Sequence, residues 1–438
     1  MNRKLFLPLA LAAVAVLALG LAGCGKSSAP AKLTVWWWGE QEAPGAEKWM
    51  AETVAKYTAA HPNVTFETVL QSTDNLVTAF KTAAASKQGP DVQYFWGGVW
   101  TLEDAWAGSL VPTSTLIPES EYKHYISNVE REYDGKVWGV GWYLSGNSIA
   151  FRKDLFKKAG LNPDGDYTQW PDFLAACAKL KSAGITPIAA GLKDGWFGGW
   201  LWQLLGKQGL DSVEDFKKAS VGDAKFTDPA YAEWWVRVAE LKDLGYWNKD
   251  INSLDYQQGQ DLFVKGKAAM IFGNDTFYPG WLKQVGDENF GVMRIPVWGK
   301  GKLAPTYTVT AQGLGITSWS KFPKQAADFL SFMHTTDRLN TWYAATGVFP
   351  ADDRFDTSKI AIPQMKTVFG WIKSSPGPNL ENFIPSVLDE QGNFAGCQLL
   401  FAGEKTAAQC AQLQETIIAK WRQDTPQAVE NFRKWIKK

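Results

Sequence analysis

The charge balance of this 438-residue chain limits the partners it can have. It holds 45 lysines and arginines against 45 aspartates and glutamates, and no basic stripe occurs, which argues against nucleic acid as a partner. Since a single hydrophobic core stops growing at roughly 250–300 residues, the length predicts two domains.

The first 23 residues have the three parts of a secretory signal peptide. Arg3 and Lys4 give a positive start, an apolar run covers 5–19, and small residues precede Cys24. The apolar run is shorter than the span of about 20 residues that crosses a bilayer. The Leu-Ala-Gly-Cys ending resembles the lipobox of bacterial lipoproteins, which implies removal of residues 1–23 and lipidation of Cys24.

Residues 24–31 follow this expected cleavage site and are mostly Gly, Ser, Ala and Pro. A segment of this composition cannot bury a core, so we interpret it as a flexible tether. We therefore expect a body anchored by lipid outside the cytoplasmic membrane. An uncleaved anchor helix, or an ordinary signal peptide with an incidental cysteine, is the alternative.

Strands and helices alternate in the next part of the chain. The hydrophobic pattern predicts, in order, strand 33–38, helix 47–60, strand 64–70, helix 73–86 and strand 91–96. Thr73 or Asp74 is expected to cap the second helix. This order predicts an α/β fold with a mostly parallel sheet. Because ligands of such folds lie beyond the carboxyl ends of the strands, the loops at 38–40, 71–74 and 96–100 are expected to meet at one edge.

The α/β pattern continues, and the last third of the chain is predicted to be mostly helical. The pattern predicts hairpin 134–140, strand 148–151, helices 153–159 and 170–182, strand 185–189, a Trp/Gly loop at 194–200, helices 229–244 and 256–265, and strands 268–272, 290–296 and 312–317.

Tryptophan is abundant, with 23 residues, and several lie in Gly-rich loops that cannot bury much by themselves. These loop tryptophans are Trp38, Trp96, Trp100, Trp196 and Trp200. Indoles can stack on the apolar faces of pyranose rings, while carboxylates and amides bind their hydroxyl groups. The polar candidates beside them are Glu40, Gln71, Asp74, Asp194 and Asp275. A single tryptophan is usually core, and a single acid is usually a helix cap or a solvated charge, so the clustering carries the prediction.

The candidate ligand-binding set is completed by five further side chains. They are Trp37, Trp142, Phe277, Trp281 and Gln312. We predict no catalytic residue and no cofactor.

The cysteines and histidines give no metal-binding spacing. Cys397 and Cys410 lie near the ends of two helical patterns, and a disulfide between them would contribute about 3 kcal/mol if unstrained. Two buried free thiols are the alternative. Cys177 lies in a helical pattern and is expected to be a buried free thiol.

Several stretches together resemble the extracellular solute-binding proteins of bacterial ABC sugar importers, the family that contains maltose-binding protein. They are 33–40, 89–92, 134–141, 149–160, 263–270, 290–296 and 324–332. Each is weak alone, but their order behind a lipobox is specific and spans nearly the whole mature chain.

This resemblance implies two lobes joined by a hinge that the chain crosses more than once, with the ligand in the cleft between them. The first lobe would hold 32–144 and 291–335, and the second 145–290 and 336–438. Closure of the lobes would present the protein to the transmembrane subunits of an ABC permease. A monomer without a cofactor is expected.

The resemblance also assigns positions to the cleft. It implies that Trp38, Glu40 and Trp96 line the first lobe, and that positions near Trp196 and Asp275 line the second. Where maltose-binding protein has a stacking aromatic, this chain has Asn274-Asp275, with Phe277 and Trp281 following later. The ligand is therefore not expected to be maltose in the same pose, and Asp275 suggests a hydrogen bond to a sugar hydroxyl.

Three functions are compared on these grounds. A binding protein for a sugar or short oligosaccharide is favoured. A secreted glycoside hydrolase would need two carboxylates flanking the scissile bond, and no stretch resembles a hydrolase motif. A binding protein for glycerol phosphate, polyamine or an anion ranks lower, because a phosphate ligand favours basic residues and the candidate site is acidic and aromatic.

Asp389, Gln391 and Asn393 form a further polar stretch that could reach the cleft or could belong to a loop between helices.

Overall fold

The computed structural model describes residues 30–126 and 128–436. The predicted signal peptide, Cys24 and most of the predicted tether lie outside these residues, and so does the side chain of Asp74. Within the described ranges, no helix combines the length and the apolarity that crossing a membrane requires.

In chain order, the described residues form twelve strands and eighteen α-helices. The strands are β1 (Ala31–Trp37), β2 (Val64–Leu70), β3 (Val92–Phe95), β4 (Leu110–Val111), β5 (Glu132–Tyr133), β6 (Lys136–Val137), β7 (Val140–Arg152), β8 (Thr186–Ala189), β9 (Ala268–Asn274), β10 (Phe290–Met293), β11 (Tyr307–Thr317) and β12 (Pro376–Gly377). The helices are α1 (Ala46–Ala60), α2 (Thr73–Ser86), α3 (Val99–Trp106), α4 (Glu119–Tyr122), α5 (Lys153–Lys158), α6 (Trp170–Ser182), α7 (Phe197–Leu205), α8 (Val213–Val221), α9 (Pro229–Asp243), α10 (Tyr256–Val264), α11 (Tyr278–Val285), α12 (Pro323–Met333), α13 (Thr336–Thr346), α14 (Pro363–Ser374), α15 (Ser386–Leu388), α16 (Ala395–Ala402), α17 (Ala407–Asp424) and α18 (Pro426–Ile436).

The main sheet follows the order β2-β1-β3-β11-β7-β9-β8. Parallel pairs lie at its two ends, β2-β1-β3 on one side and β9-β8 on the other. In its centre the long strands β11 and β7 pair antiparallel with each other and with their outer neighbours. The predicted α/β class is confirmed. The parallel pairing predicted from the elements of 33–96 holds for β1, β2 and β3. The central strands β7 and β11, which come later in the chain, are antiparallel and buried along nearly their whole length.

The early elements follow the predicted pattern because their apolar residues repeat with the right period. In β1, Leu33, Val35 and Trp37 are buried while the residues between them are half-buried. The cap prediction for α2 is wrong. Ser72 takes the N-cap position without a side-chain cap bond, and the Thr73 hydroxyl instead donates to Gln41 Oε1 at 3.1 Å.

The predicted Trp/Gly loop at 194–200 is also corrected, because α7 begins at Phe197 and contains both Gly198 and Gly199. These glycines allow close packing and do not form a turn. A Cβ on Gly198 would lie 2.8 Å from the backbone oxygen of Asn393. The glycine pair therefore lets α7 approach the π-helical segment Asp389–Phe394 directly.

Two hydrophobic clusters account for most of the core. The smaller one packs β1, α1, α12 and α13 around Trp49, Trp142 and Trp342. The larger one packs the strands β8 to β10 with the C-terminal helices and includes Trp202 and Trp235. The lobe boundaries expected from the sequence stay a prediction.

The predicted disulfide between Cys397 and Cys410 is wrong, since Cys177, Cys397 and Cys410 are all free and buried. The Cys397 thiol lies 3.8 Å from the Gly198 carbonyl and the Cys410 thiol 3.4 Å from the Gly396 carbonyl. Burial raises the pKa of Cys397 well above its usual range and that of Cys410 to about 11. The thiolate that disulfide exchange requires is therefore disfavoured at both positions.

Reducing agent is accordingly expected to leave the melting temperature of the purified protein unchanged. A disulfide closing so short a loop would contribute about 3 kcal/mol, and its reduction would lower the melting temperature by several degrees. Thermal unfolding with and without dithiothreitol measures this, and a clear fall with reductant would contradict the free-thiol assignment.

Candidate functional site

A cavity of about 490 Å³ opens where the strands of both halves of the sheet end. Residues that follow β1, β2 and β3 line one part of it, and the central strands β7, β9 and β11 contribute side chains to its floor. Helix α7 and the segment 379–394 complete the wall. The cavity thus lies at the carboxyl ends of the parallel strands, as expected for an α/β fold.

Aromatic rings come from both sides of this cavity. Trp38, Trp96 and Trp100 form one group, with ring centroids 6.1 Å apart for Trp38 and Trp96 and 5.7 Å apart for Trp96 and Trp100. At the start of α7, Trp196 and Trp200 lie 5.0 Å apart. Phe277 and Phe394 also line the cavity. Most of these rings are half-buried and keep surface for a flat apolar ligand face.

Glu42 is a buried carboxylate that lines the same cavity and, like Trp38, follows β1. It accepts a hydrogen bond from Tyr143 Oη at 3.0 Å, and Tyr143 Oη lies 3.2 Å from Tyr94 Oη. Burial raises the pKa of Glu42 to about 8, against the effect of the Tyr143 hydroxyl and with a smaller contribution from Asp275. This side chain can therefore donate or accept a ligand hydrogen bond near neutral pH.

A second polar group joins the sheet to the C-terminal segment. Thr310 Oγ1 donates to Glu130 Oε2 at 2.6 Å, and Asn382 Nδ2 donates to the same oxygen at 3.0 Å. Burial raises the pKa of Glu130 to about 7, with Arg131 opposing. Thr310 and Asn382 line the cavity, so Glu130 positions both from behind.

Two carboxylates of the C-terminal segment, Glu381 and Asp389, also line the cavity. Asn393 Nδ2 donates to Asp389 Oδ1 at 2.8 Å. Burial raises the pKa of Asp389 to about 7. Burial and the neighbouring Asp389 charge raise the pKa of Glu381 well above its usual range. Among the described residues, no lysine, arginine or histidine lines the cavity.

Several buried amide atoms at the cavity lack a hydrogen-bond partner among the described protein groups. They are Oε1 and Nε2 of Gln203, Oε1 of Gln312 and Oδ1 of Asn147. Gln203 is fully buried and the other two are nearly so. An unpaired buried polar group costs about 1–3 kcal/mol, so these atoms need a partner from outside the protein.

The structure brings together many of the predicted site residues. Those that line the cavity are Trp38, Trp96, Trp100, Asp194, Trp196, Trp200, Phe277 and Gln312. Those that do not are Trp37, Glu40, Gln71, Trp142, Asp275 and Trp281.

Three of the predicted tryptophans belong to the core: Trp37, Trp142 and Trp281. Trp37 points to the buried side of β1 and meets Trp142 edge-on, with ring centroids 6.0 Å apart. Trp281 packs parallel to Phe277 and donates from Nε1 to Gln260 Oε1 at 3.0 Å. Each ring therefore buries its surface against protein.

Two of the predicted acids, Glu40 and Asp275, accept hydrogen bonds from backbone N–H groups, and the predicted amide Gln71 lies outside the cavity. Glu40 accepts from the backbone N–H of Gly45 at 2.9 Å and of Glu47 at 2.6 Å, which caps the start of α1. Asp275 accepts from Gly146 N and from Tyr307 Oη, each at 2.9 Å. Gln71 follows β2, where its backbone N–H bonds the Trp37 carbonyl.

Replacing Asp275 with asparagine is expected to raise the melting temperature at pH 8 and to leave it nearly unchanged at pH 4. Burial raises the pKa of Asp275 to about 7 from an ordinary value of 3.8. The folded protein keeps this proton longer than the unfolded chain, so this group lowers stability as pH rises from about 4 to about 7. Asparagine removes the charge and can still bond Gly146 and Tyr307.

Thermal unfolding of the variant and the wild type across pH 4–8 measures this effect. Asp164→Asn, at an exposed position, is the matched control and is expected to show no such trend. A difference between wild type and Asp275→Asn that does not change with pH would contradict the assignment.

Part of the cavity wall is not predictable from the sequence pattern. Ser72 and Thr73 line the cavity within the predicted edge loop 71–74, whereas the missed polar and charged residues are Gln41, Glu42, Ser145, Asn147, Gln203, Asp255, Gln257, Asn274, Thr310, Asn379, Glu381, Asn382 and Glu390. Glu42 is two residues from the predicted Glu40, and only the turn geometry distinguishes them. The polar stretch at 389–393 did signal this region. Asp389 lines the cavity, Asn393 donates a hydrogen bond to Asp389, and Gln391 is exposed.

A family model described as bacterial extracellular solute-binding protein matches residues 52–367. An uncharacterized ABC transporter extracellular-binding protein of Pyrococcus horikoshii is 25% identical over 374 residues, which cover 80% of this chain and 81% of that protein. The sn-glycerol-3-phosphate-binding periplasmic protein of Rhizobium meliloti is 25% identical over 318 residues, covering 64% of this chain and 69% of that protein.

A solved structure described as a chitin oligosaccharide binding protein has a similar fold. It superposes with a TM-score of 0.80 over 89% of this chain and 98% of its own, at 24% sequence identity. The likeness extends over both halves of the sheet and confirms the predicted two-lobe architecture.

Proposed function

The chain belongs to the bacterial extracellular solute-binding protein family, the solute-capturing components of ABC transporters, and on this premise we propose that its solute is a sugar or short oligosaccharide. Members of this family act outside the cytoplasm, so the protein is extracytoplasmic. We also propose that it is a lipid-anchored monomer that binds without cleaving, and that closure of its lobes delivers the sugar to the transmembrane permease subunits.

The observation that carries the proposal is the composition of the cavity wall. Half-buried tryptophans from two directions can stack on the apolar faces of sugar rings. Between them lie buried amides without full hydrogen-bond partners and several carboxylates, and both kinds of group suit hydroxyl groups, which donate and accept. A volume of about 490 Å³ is in the range of ordinary ligand pockets.

Glycerol phosphate is the second candidate, because several relatives are described as binding sn-glycerol-3-phosphate. A phosphate dianion needs cations or converging N–H groups to offset its charge. The described cavity wall instead offers the carboxylates Glu42, Glu381 and Asp389 and no basic side chain. This electrostatic balance favours the sugar.

The test is a ligand screen by thermal shift and tryptophan fluorescence, with mono- and oligosaccharides, glycerol phosphates and polyamines. A ligand that binds only the folded state raises its melting temperature by mass action. We expect a sugar to give the largest shift and to be recovered intact. A shift with glycerol phosphate alone, or cleaved sugar, would overturn the proposal.

A further inference from the structure

We propose that the bound sugar carries a basic nitrogen, and that Glu381 and Asp389 bind its ammonium group at the α7 end of the cleft. This inference rests on the proposed sugar-binding function and narrows its substrate class to cationic amino sugars.

One carboxylate oxygen of Glu381 and one of Asp389 lie close together beside Gly199 of α7. A Cβ on Gly199 would lie 2.5 Å from Glu381 Oε1 and 2.9 Å from Asp389 Oδ1. Asp389 is 1% exposed, while Glu381 keeps part of its surface open. The missing side chain at Gly199 therefore lets two carboxylate oxygens occupy neighbouring positions at the cavity wall.

Neighbouring protein groups supply hydrogen bonds to this pair but no positive charge at the described cavity wall. Asn393 donates to Asp389, and Asn379 lies beside Glu381. The other charged groups that line the cavity in the described residues are also acidic: Glu42, Asp194, Asp255 and Glu390. Like charges in a partly buried site disfavour each other's ionised form, and an ammonium group offsets that cost where a neutral hydroxyl cannot.

The unpaired amide of Gln203 is a separate observation that points to a ligand at the same end of the cleft. Gln203 lies one turn after Gly199 on the same side of α7, is fully buried, and has neither amide atom bonded to a described protein group. Its oxygen can accept from an ammonium group and its nitrogen can donate to a ring oxygen or hydroxyl. Trp196 and Trp200, at the start of this helix, add aromatic faces that attract a cation.

The inference is tested with ligands that differ in one substituent. Binding of β-1,4-linked oligomers of glucosamine, N-acetylglucosamine and glucose is measured by calorimetry, together with the monosaccharide pairs glucosamine and glucose, and galactosamine and galactose. The pH is kept near 7, where much of the amine is protonated and Asp389, whose pKa burial raises to about 7, is partly ionised. We expect at least one protonated amine to bind ten-fold or more tightly than its hydroxyl and N-acetyl counterparts, with an affinity that falls as salt is added.

Variants locate the group responsible. Glu381→Gln and Asp389→Asn are each expected to reduce the preference for the amine at least five-fold, while the exposed Asp243→Asn leaves it unchanged. Neutral sugars that bind as well as, or better than, their amines would overturn the inference and leave the sugar-binding proposal intact. An amine preference that persists in both variants would overturn the assigned position. A protein that binds none of these sugars would also overturn the inference, while the proposed function would then be decided by the wider ligand screen.

Discussion

Replacing Trp200 with alanine is expected to weaken sugar binding about thirty-fold or more. Trp200 is half-buried, lines the cavity, and stands 5.0 Å from Trp196 and 5.1 Å from Tyr256 by ring centroids. Truncation of a well-packed tryptophan anchor in a binding site typically costs about 2 kcal/mol or more, and each 1.4 kcal/mol is ten-fold in Kd. Trp200→Phe keeps a flat apolar face and is expected to recover most of the affinity.

The measurement is calorimetric titration of each variant with the sugar that gives the largest thermal shift. Trp298→Ala is the matched control, because Trp298 is also half-buried but packs near Arg237, outside the cavity. Equal affinities for wild type and Trp200→Ala, with both variants folded, would remove this ring from the site. A loss shared by Trp298→Ala would indicate general destabilisation.

Local periodicity was enough to predict most of the fold. The elements 47–60, 64–70 and 170–182 lie within a residue of α1, β2 and α6, because each buries an apolar face whose period is visible in the sequence. The lengths of β7 and β11 were underestimated. These central strands are buried on both sides, so their residues show no alternation and include glycines that a local pattern treats as breaks.

The site was only partly predictable, for a different reason. Aromatic residues at strand ends were found because Trp in a Gly-rich stretch is unusual, and Trp38, Trp96 and Trp196 do line the cavity. Glu40 and Asp275 satisfy backbone N–H groups instead, a role that depends on turn geometry. Glu381 is far from the strand ends in sequence, and only tertiary packing brings it to the cleft.

Gly199 shows how much of the site depends on such packing. Gly199→Ala is expected to lower sugar affinity about ten-fold or more and to lower the free energy of unfolding by at most about 2 kcal/mol. Alanine in a helix gains about 1 kcal/mol over glycine, whereas an extra methyl group in a packed position costs about 1–3 kcal/mol. Together they lower the free energy of unfolding by at most about 2 kcal/mol. Binding is affected separately, because the methyl group would lie 2.5 Å from Glu381 Oε1 and 2.7 Å from Phe394 Cε1 and displace both side chains.

Gly370→Ala is the control for this variant. Gly370 lies in α14, is exposed, and has no atom within 4 Å of an added Cβ, so alanine is expected to stabilise the protein by about 1 kcal/mol without changing affinity. Chemical denaturation gives the free energy of unfolding, and calorimetry gives Kd. If Gly199→Ala behaved as Gly370→Ala does, with a stability gain and unaltered binding, then Glu381 and Phe394 would not touch the ligand. A binding loss confined to Gly199→Ala would instead place the ligand against Glu381 and Phe394, beside the first turn of α7.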